Sequence, residues 1–192
     1  MLDLSAYRVI LASRSPRRHD LLKGLNIPFE VRLKETPEDY PEGLPGQKIA
    51  LMLAQRKNYA FAEAELPENY LLITADTIVW LDNQVLNKPA DAADAVSMLQ
   101  TLSGKSHKVY TGVFIRSKQK ETGFCAESTV YFRHLNDEEI NYYVTHFQPF
   151  DKAGAYGVQE WIGYVGIERI EGSYFNVMGL PTQLLYQHLR MF

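Results

Sequence analysis

The chain has little cysteine: Cys125 is the only one among its 192 residues. A single cysteine excludes an internal disulfide framework and a cysteine metal cluster, and it favours a reducing compartment. Long hydrophobic runs are also lacking, so no segment predicts a membrane-spanning helix. The opening residues, MLDLSAYRVI, contain an acidic residue and no long apolar core. We therefore expect no signal peptide and a cytoplasmic protein.

The sequence also lacks a strong excess of charge of either sign. Lysine and arginine together number 20, aspartate and glutamate 23, and the formal net charge is −3. This balance gives no support for broad binding to nucleic acid or to an anionic membrane. The five histidines are scattered without metal-ligand spacing. The glycine spacings of a Walker loop or a Rossmann fingerprint, and the pattern of a nucleophile elbow, do not occur either.

What the sequence does contain is enough apolar material for a sizeable core, with a hydrophobic share of 46%. Its length fits one large domain or two small lobes that share a core. Segments that predict strands and helices alternate, but several neighbouring strands lack a helix between them. This order predicts an α/β fold with a mixed sheet, and we interpret residues 1–192 as a single domain.

Several local predictions bear on the position of a site. Residues 8–12, RVILA, predict a buried strand, after which Ser15 can cap a helix that begins at Pro16. A long helix is expected from about residue 47 to residue 64. The segment YLLITADTIVWL predicts one strand, or a strand pair interrupted at Ala75-Asp76. Asp82-Asn83 predicts a tight turn after it, and Asp91 is expected to cap the helix that follows. Two later strands are expected to pair and to be joined around Gly123.

Two features have the residue types needed for chemistry. In SRSPRR, a helix start with its unpaired N–H groups is followed by Arg17 and Arg18, which suits phosphate oxygens. The alternative is a capped surface helix with solvated arginines. Asp76 interrupts the most apolar segment, where a carboxylate is costly unless it is paired, hydrogen-bonded or on a metal. It is the best single catalytic candidate, with a turn or cap aspartate as the alternative.

Other candidates are weaker one by one. Lys88 lies in a turn, NKP, and Lys57 lies on a helix where a solvated face is the simpler interpretation. In DKAGAYGVQ, Gly154 and Gly157 permit close approach of backbone to a ligand, and Gln159 can read an amide-like edge. A flexible loop explains that segment equally well. One acid and several cations together suggest binding and cleavage of a polyphosphate.

Six stretches, in this order, resemble the Maf family of nucleoside triphosphate pyrophosphatases, also described as septum formation inhibitors: LASRSPRR, ADTIV, NKP before an acidic-capped helix, LSGKSHKVYTGV, DKAGAYGVQ and GSYFNVMGLP. The resemblance covers nearly the whole chain. It implies an elongated α/β fold with a cleft between two lobes, similar to inosine triphosphate pyrophosphatases. The form of DKAGAYGVQ resembles the branch that hydrolyses dTTP and UTP between the α- and β-phosphates, giving the nucleoside monophosphate and pyrophosphate. A divalent cation, magnesium or manganese, and a homodimer are further implications.

The resemblance also assigns roles by position. Asp76 is similar to the catalytic acid, and whether it acts on water or holds the metal stays open. Glu38, in a proline-rich loop, is similar to an acidic site residue and is the second candidate metal ligand. The phosphate-facing cations implied are Arg17, Lys57 and Lys88, and the helix start at Ser15 is expected to bind the phosphates with them. The positions associated with substrate choice are Arg18, Thr77 and Gln159.

The chain departs from the family pattern at Arg14, where a small residue is common. Arg14 either adds positive charge near the pocket or points to solvent. The segment EWIGYVGIERI also differs from the glycine-richer version of this branch. Two alternative functions remain: a pyrophosphatase for 7-methyl-GTP or another modified nucleotide, and a non-catalytic nucleotide-binding regulator of septum formation.

Overall fold

The structure, a computed structural model, describes residues 2–192. Its helices and strands follow the order β1 (Arg8–Leu11), α1 (Pro16–Lys23), β2 (Glu30–Val31), α2 (Gly46–Tyr59), β3 (Tyr70–Leu81), β4 (Gln84–Leu86), α3 (Ala92–Leu102), β5 (Ser106–Ser117), β6 (Glu121–Phe132), α4 (Asp137–Phe147), α5 (Trp161–Gly166), β7 (Ile167–Glu171), α6 (Tyr174–Met178) and α7 (Thr182–Leu189). Short 3-10 helices lie at Glu63–Glu65 and Ala153–Ala155. Within residues 2–192, no helix combines the length and the apolar character needed to cross a membrane.

The strands of the described chain form a seven-stranded sheet in the order β2-β1-β3-β5-β6-β7, with β4 paired to β3. Strand β1 is parallel to both β2 and β3, whereas β4 runs antiparallel to β3 and β7 runs antiparallel to β6. The prediction of an α/β fold with a mixed sheet and flanking helices is therefore confirmed.

The chain packs as two compact units. The first runs to Asp76 and adds Thr111–Ala126 and Gly179–Phe192. The second consists of Thr77–Tyr110 and Glu127–Met178. The boundary falls inside β3, between Asp76, the predicted catalytic acid, and Thr77.

In the first unit, β1 and β3 are in register with Ile10 opposite Leu72, and both side chains are fully buried. Helix α2 ends at Tyr59, so the prediction of a helix to residue 64 is wrong. The guanidinium of Arg116 donates from Nη2 to the carbonyl oxygens of Asn58, at 3.1 Å, and Phe61, at 2.7 Å. These carbonyls lie at the C-terminal end of the helix, where intrahelical donors run out, so a residue distant in sequence stabilises this end.

Of the two alternatives for YLLITADTIVWL, the single strand is confirmed: β3 runs without a break through Ala75 and Asp76, and both residues are buried. The position of the turn between the next two strands, however, needs correction. The turn between β5 and β6 lies at 118–120, where the Ser117 N–H donates to the Lys120 carbonyl at 2.7 Å. Gly123 lies inside β6 instead. A Cβ there would approach the Phe114 ring to 2.8 Å, so close packing explains this glycine.

The core of the second unit joins its part of the sheet to α3 and α4 through buried side chains such as Val130, Leu99 and Ile140. The tight turn predicted at Asp82-Asn83 is confirmed, since both residues have positive φ between β3 and β4.

Candidate active site

Asp76 is the centre of a charged cluster in the first unit. It is 7% exposed, and its carboxylate accepts a hydrogen bond from Nζ of Lys57 on α2. The same ammonium lies 2.9 Å from Oε1 of Glu38, whose side chain is half-exposed. Lys57 therefore brings together the two carboxylates that the sequence nominated as metal ligands, and it supplies the partner that a buried carboxylate requires.

A buried polar seam between α2 and β3 fixes this geometry. The amide Nδ2 of Asn58 donates to the Leu72 carbonyl at 3.2 Å and lies 3.3 Å from Thr74 Oγ1. Thr74 Oγ1 donates to the Ala54 carbonyl at 2.7 Å. Both side chains are fully buried. The seam therefore holds Asn58, the neighbour of Lys57, against Thr74, which precedes Asp76 by two residues.

Sequence reasoning did not identify Asn58 or Thr74. A signal was available in each case. Thr74 is a polar residue at a fully buried position of a largely apolar strand, and Asn58 follows Ala54 by four residues on the buried face of its helix. A polar residue at a core position indicates a specific hydrogen-bond partner.

The helix start in SRSPRR is present as predicted, with Ser15 at the N-cap position and Pro16 as the first helical residue. The Ser15 side chain makes no capping hydrogen bond, so the predicted cap is one of position only. The Ser15 carbonyl accepts from the His19 N–H at 3.2 Å, as the first turn of the helix requires.

Arg18 joins three parts of the first unit. Its Nε donates to the Gly179 carbonyl at 2.7 Å, and its Nη1 donates to the Ala75 carbonyl at 2.8 Å. Burial lowers the pKa of Arg18, whereas the negative charge of Asp76 acts in the opposite direction. The nearby charges of Arg17 and Glu38 act on the Arg18 pKa more weakly. An arginine stays protonated even so, and its cation therefore lies beside the Asp76 carboxylate.

The remaining predicted residues lie in the second unit. Thr77 follows Asp76 in β3 and is partly buried, whereas Lys88 is exposed just after β4. The Asn87 carbonyl, next to Lys88, accepts a hydrogen bond from the Gly154 N–H at 3.1 Å. The structure thus joins NKP to DKAGAYGVQ. Gly154 has φ +69°, a conformation that favours glycine.

A buried network frames Gln159, which is partly buried. Lys152 is 8% exposed, and its Nζ lies 3.1 Å from the Glu160 carboxylate. The Tyr143 hydroxyl donates to the same carboxylate and accepts from the Gly157 N–H at 3.0 Å. Burial, followed by this hydrogen bond to Glu160, raises the pKa of Tyr143, which keeps the hydroxyl protonated. The segment around Gln159 is therefore held on both sides, which argues against a merely flexible loop.

His107 supports the same segment from β5. Its Nε2 lies 2.7 Å from the Tyr156 hydroxyl, and the two rings meet edge to face. Burial lowers the pKa of His107 to about 3, so the imidazole is neutral at physiological pH.

The departure at Arg14 has a local explanation. Its Nη2 lies 3.0 Å from Oε1 of Glu35, and both side chains are well exposed. Arg14 therefore lies at the surface and pairs with the proline-rich loop that contains Glu38.

The donor set fits a divalent cation that is held jointly with substrate. Among residues 2–192, no three side chains of histidine, cysteine, aspartate or glutamate group as a metal cage. Asp76 and Glu38 instead place two carboxylates at one ammonium. Magnesium commonly binds through one or two carboxylates together with substrate phosphates, and these residues match that pattern.

Comparisons with known proteins agree on one family. The model of the family described as Maf-like protein matches residues 8–192. A dTTP/UTP pyrophosphatase of Parabacteroides distasonis is 51% identical over 191 residues, which cover 99% of this chain and 98% of that protein. A dTTP/UTP pyrophosphatase of Porphyromonas gingivalis is 50% identical, covering 100% of this chain and 98% of that protein. One from Flavobacterium johnsoniae is 46% identical, covering 97% and 95% respectively.

A solved structure of a HAM1 protein from Coxiella burnetii is a much more distant match. It is 12% identical, with a TM-score of 0.39, and the match covers 64% of this chain and 70% of that chain. A likeness at this level is too low to define a shared fold.

Proposed function

The chain belongs to the Maf-like protein family, and from this premise we propose that it is a nucleoside triphosphate pyrophosphatase that hydrolyses dTTP and UTP. The support from the comparisons is that relatives half identical over nearly the whole chain have that name. The structural observation that carries the proposal is the cluster in which Lys57 joins the carboxylates of Asp76 and Glu38.

In the proposed reaction, water adds across the anhydride bond between the α- and β-phosphates. The bridging oxygen leaves with pyrophosphate, the water oxygen stays on the nucleoside monophosphate, and one proton is released. Asp76 orients the water or accepts its proton, since a positioned carboxylate can do either. Lys57 holds that carboxylate at the cluster. The guanidinium groups of Arg17 and Arg18 bind phosphate oxygens at the helix start.

Asp76 and Glu38 are the residues that would hold a divalent cation, magnesium or manganese. When bound, such a cation offsets the negative charge that develops on the phosphate oxygens.

Base recognition is assigned to Gln159. Uracil and thymine present two carbonyl acceptors around one N–H donor, and a glutamine amide can pair with that edge through two hydrogen bonds. The network of Lys152, Tyr143 and Glu160 supports this assignment, because it restrains the backbone on both sides of Gln159 and discrimination between bases needs a positioned residue. Thr77 and Lys88 take the substrate-choice and phosphate roles that the resemblance implies.

Housecleaning of the nucleotide pool in the cytoplasm is the setting that suits this activity, and a reducing compartment fits a chain with one cysteine. A homodimer is the assembly that the resemblance implies.

The decisive experiment is pyrophosphate release from a panel of dTTP, UTP, CTP, dCTP and 7-methyl-GTP, with and without magnesium. We expect magnesium-dependent release from dTTP and UTP far above that from the other nucleotides. Preference for 7-methyl-GTP would support the alternative pyrophosphatase. Tight binding of dTTP without any release of pyrophosphate would support a non-catalytic regulator.

A further inference from the structure

We infer that Arg56 is a positioning residue, which holds the acidic loop on α2 and so keeps the Glu38 carboxylate at Lys57. The acidic loop is the segment 34–45, which is proline-rich and contains no helix or strand; α2 begins at the next residue, Gly46. The expected effect of Arg56 on turnover rests on the proposed function, whereas its expected effect on the order of the loop does not.

The contacts of Arg56 enclose Glu38 from both sides along the chain. Nη1 of Arg56 lies 3.0 Å from the Pro37 carbonyl and 2.7 Å from the Asp39 carbonyl. It also lies 3.0 Å from the Asp39 carboxylate. One side chain therefore binds the backbone immediately before and immediately after Glu38.

The two carbonyls are the important acceptors. The ion pair between Arg56 and Asp39 involves a carboxylate whose side chain is 79% exposed, and such surface pairs contribute little. Hydrogen bonds to backbone carbonyls, by contrast, restrain the φ and ψ angles of the residues that carry them. Asp39 therefore matters through its main chain more than through its charge.

Lys57 by itself is not sufficient to place Glu38. The Glu38 side chain is 55% exposed, and an ion pair on a loop without regular structure must offset the loss of backbone and side-chain entropy. Arg56 lies next to Lys57 on a helix that the Asn58–Thr74 seam fixes on the sheet. Two adjacent side chains of α2 therefore restrain Glu38. Arg56 binds the loop backbone on either side of it, and Lys57 binds its carboxylate.

The first test measures loop order without nucleotide, by backbone ¹⁵N relaxation of the full-length protein. In Arg56→Ala we expect lower order parameters at residues 36–40 and no change in β3. Lys48→Ala, an exposed position on the same helix, should leave the loop unchanged, and Asp39→Ala should change it less than Arg56→Ala does. Unchanged order of the loop in Arg56→Ala would overturn the inference.

The second test is a double-mutant cycle on turnover of dTTP. Arg56→Ala should lower kcat about tenfold, the size expected for loss of one charge-assisted contact. In the Glu38→Gln background the same substitution should have little further effect, because Arg56 acts through Glu38. Independent, multiplicative effects would contradict the positioning role. If the unmodified protein does not hydrolyse dTTP or UTP, the proposed function fails, and the relaxation test still decides the inference.

Discussion

The ammonium of Lys57 and the carboxylate of Asp76 form an ion pair that joins α2 to β3, with the lysine side chain 20% and the aspartate side chain 10% exposed. The two residues are separated by nineteen positions in the sequence. Because the pair is largely shielded from water, removal of either partner leaves a charge that is poorly solvated. The consequences for catalysis and for stability can be measured separately.

Asp76→Asn keeps the size of the side chain and removes its charge. We expect turnover of dTTP to fall by about 100-fold or more, the range for loss of general acid–base catalysis, while the fold is retained. Circular dichroism and a pyrophosphate-release assay measure the two effects. Asp82→Asn, in the turn between β3 and β4, is the matched control, because asparagine accepts the positive φ of that position. Turnover near that of the wild type in Asp76→Asn would contradict the catalytic role.

Lys57→Met retains much of the aliphatic stem and removes the ammonium. We expect the free energy of unfolding to fall by about 1–3 kcal/mol, because Asp76 loses its charged partner. In the Asp76→Asn background the cost should be clearly smaller, since no buried carboxylate then remains. Urea denaturation of the four proteins gives the coupling free energy. Additive costs would show that the pair does not stabilise the fold.

Arg18→Ala and Lys88→Ala should both weaken triphosphate binding and turnover, but only one should alter stability. Arg18 donates to two backbone carbonyls, so its loss should lower the free energy of unfolding by about 1.5–3 kcal/mol. Lys88 is exposed, and its removal should leave stability within about 0.5 kcal/mol of the wild type. Thermal denaturation measures the stability of the two variants, and steady-state kinetics measures their binding and turnover. Unchanged kinetic constants in both variants would place these cations outside the substrate site.

Gln159→Ala should reduce discrimination between UTP and CTP. Cytosine presents an acceptor and an amino donor where uracil presents the imide N–H and a carbonyl, so a fixed glutamine faces donor against donor. An unpaired buried polar group costs about 1–3 kcal/mol, and the alanine variant no longer imposes that cost on CTP. The ratio of kcat/KM for the two nucleotides is the measurement, with Gln183→Ala on α7 as control. A ratio equal to that of the wild type would assign base recognition to another residue.

His107 predicts a pH dependence of stability. Its pKa is about 3 in the folded protein, against 6.5 for an ordinary histidine, so below pH 6.5 the unfolded chain binds a proton that the folded one does not. The contribution of neutral His107 to the free energy of unfolding is therefore complete above pH 6.5. It is lost as the pH falls toward 3, at about 1.4 kcal/mol per pH unit.

The variant His107→Gln retains a polar side chain that can reach the Tyr156 hydroxyl, and it does not titrate. Between pH 6 and pH 5 the free energy of unfolding of the wild type should therefore fall by about 1.2 kcal/mol more than that of the variant, because the unfolded histidine is already partly protonated at pH 6. Denaturant unfolding at both pH values gives the comparison. Identical pH slopes for the two proteins would show that His107 is accessible to protons in the folded state.

Most of the local structure could be predicted because it depends on neighbouring residues. Three features follow from short-range stereochemistry. They are the proline at the first position of α1, the Asp91 side chain that caps α3 by accepting a hydrogen bond from the Asp94 N–H, and the turn at Asp82-Asn83. The two wrong predictions, for the end of α2 and for the turn at Gly123, concern features decided by contacts with other elements. Helix α2 ends at Tyr59, where Arg116 of β5 binds the carbonyls of Asn58 and Phe61. Gly123 lies inside β6, where the Phe114 ring packs against it.

The catalytic candidates divide in the same way. Asp76 could be identified from the sequence, because a carboxylate within an apolar strand is costly without a partner. The identity of that partner could not be read there, since Lys57 looks like a residue of a solvated helix face. Arg56 also looks like a residue of a solvated helix face, and its contacts lie on a loop that is distant along the chain.

By itself, then, the sequence determined the α/β class, the mixed sheet, the family and the presence of an isolated acid among several cations. These depend on composition, on periodicity and on motifs of a few adjacent residues. Only the tertiary structure decided that Lys57 joins Asp76 to Glu38, that Arg18 is tied to the backbone beside Asp76, and that Arg56 fixes the acidic loop. Such pairings arise when α2 packs on β3, because a side chain's partner is set by packing between elements and not by distance along the chain.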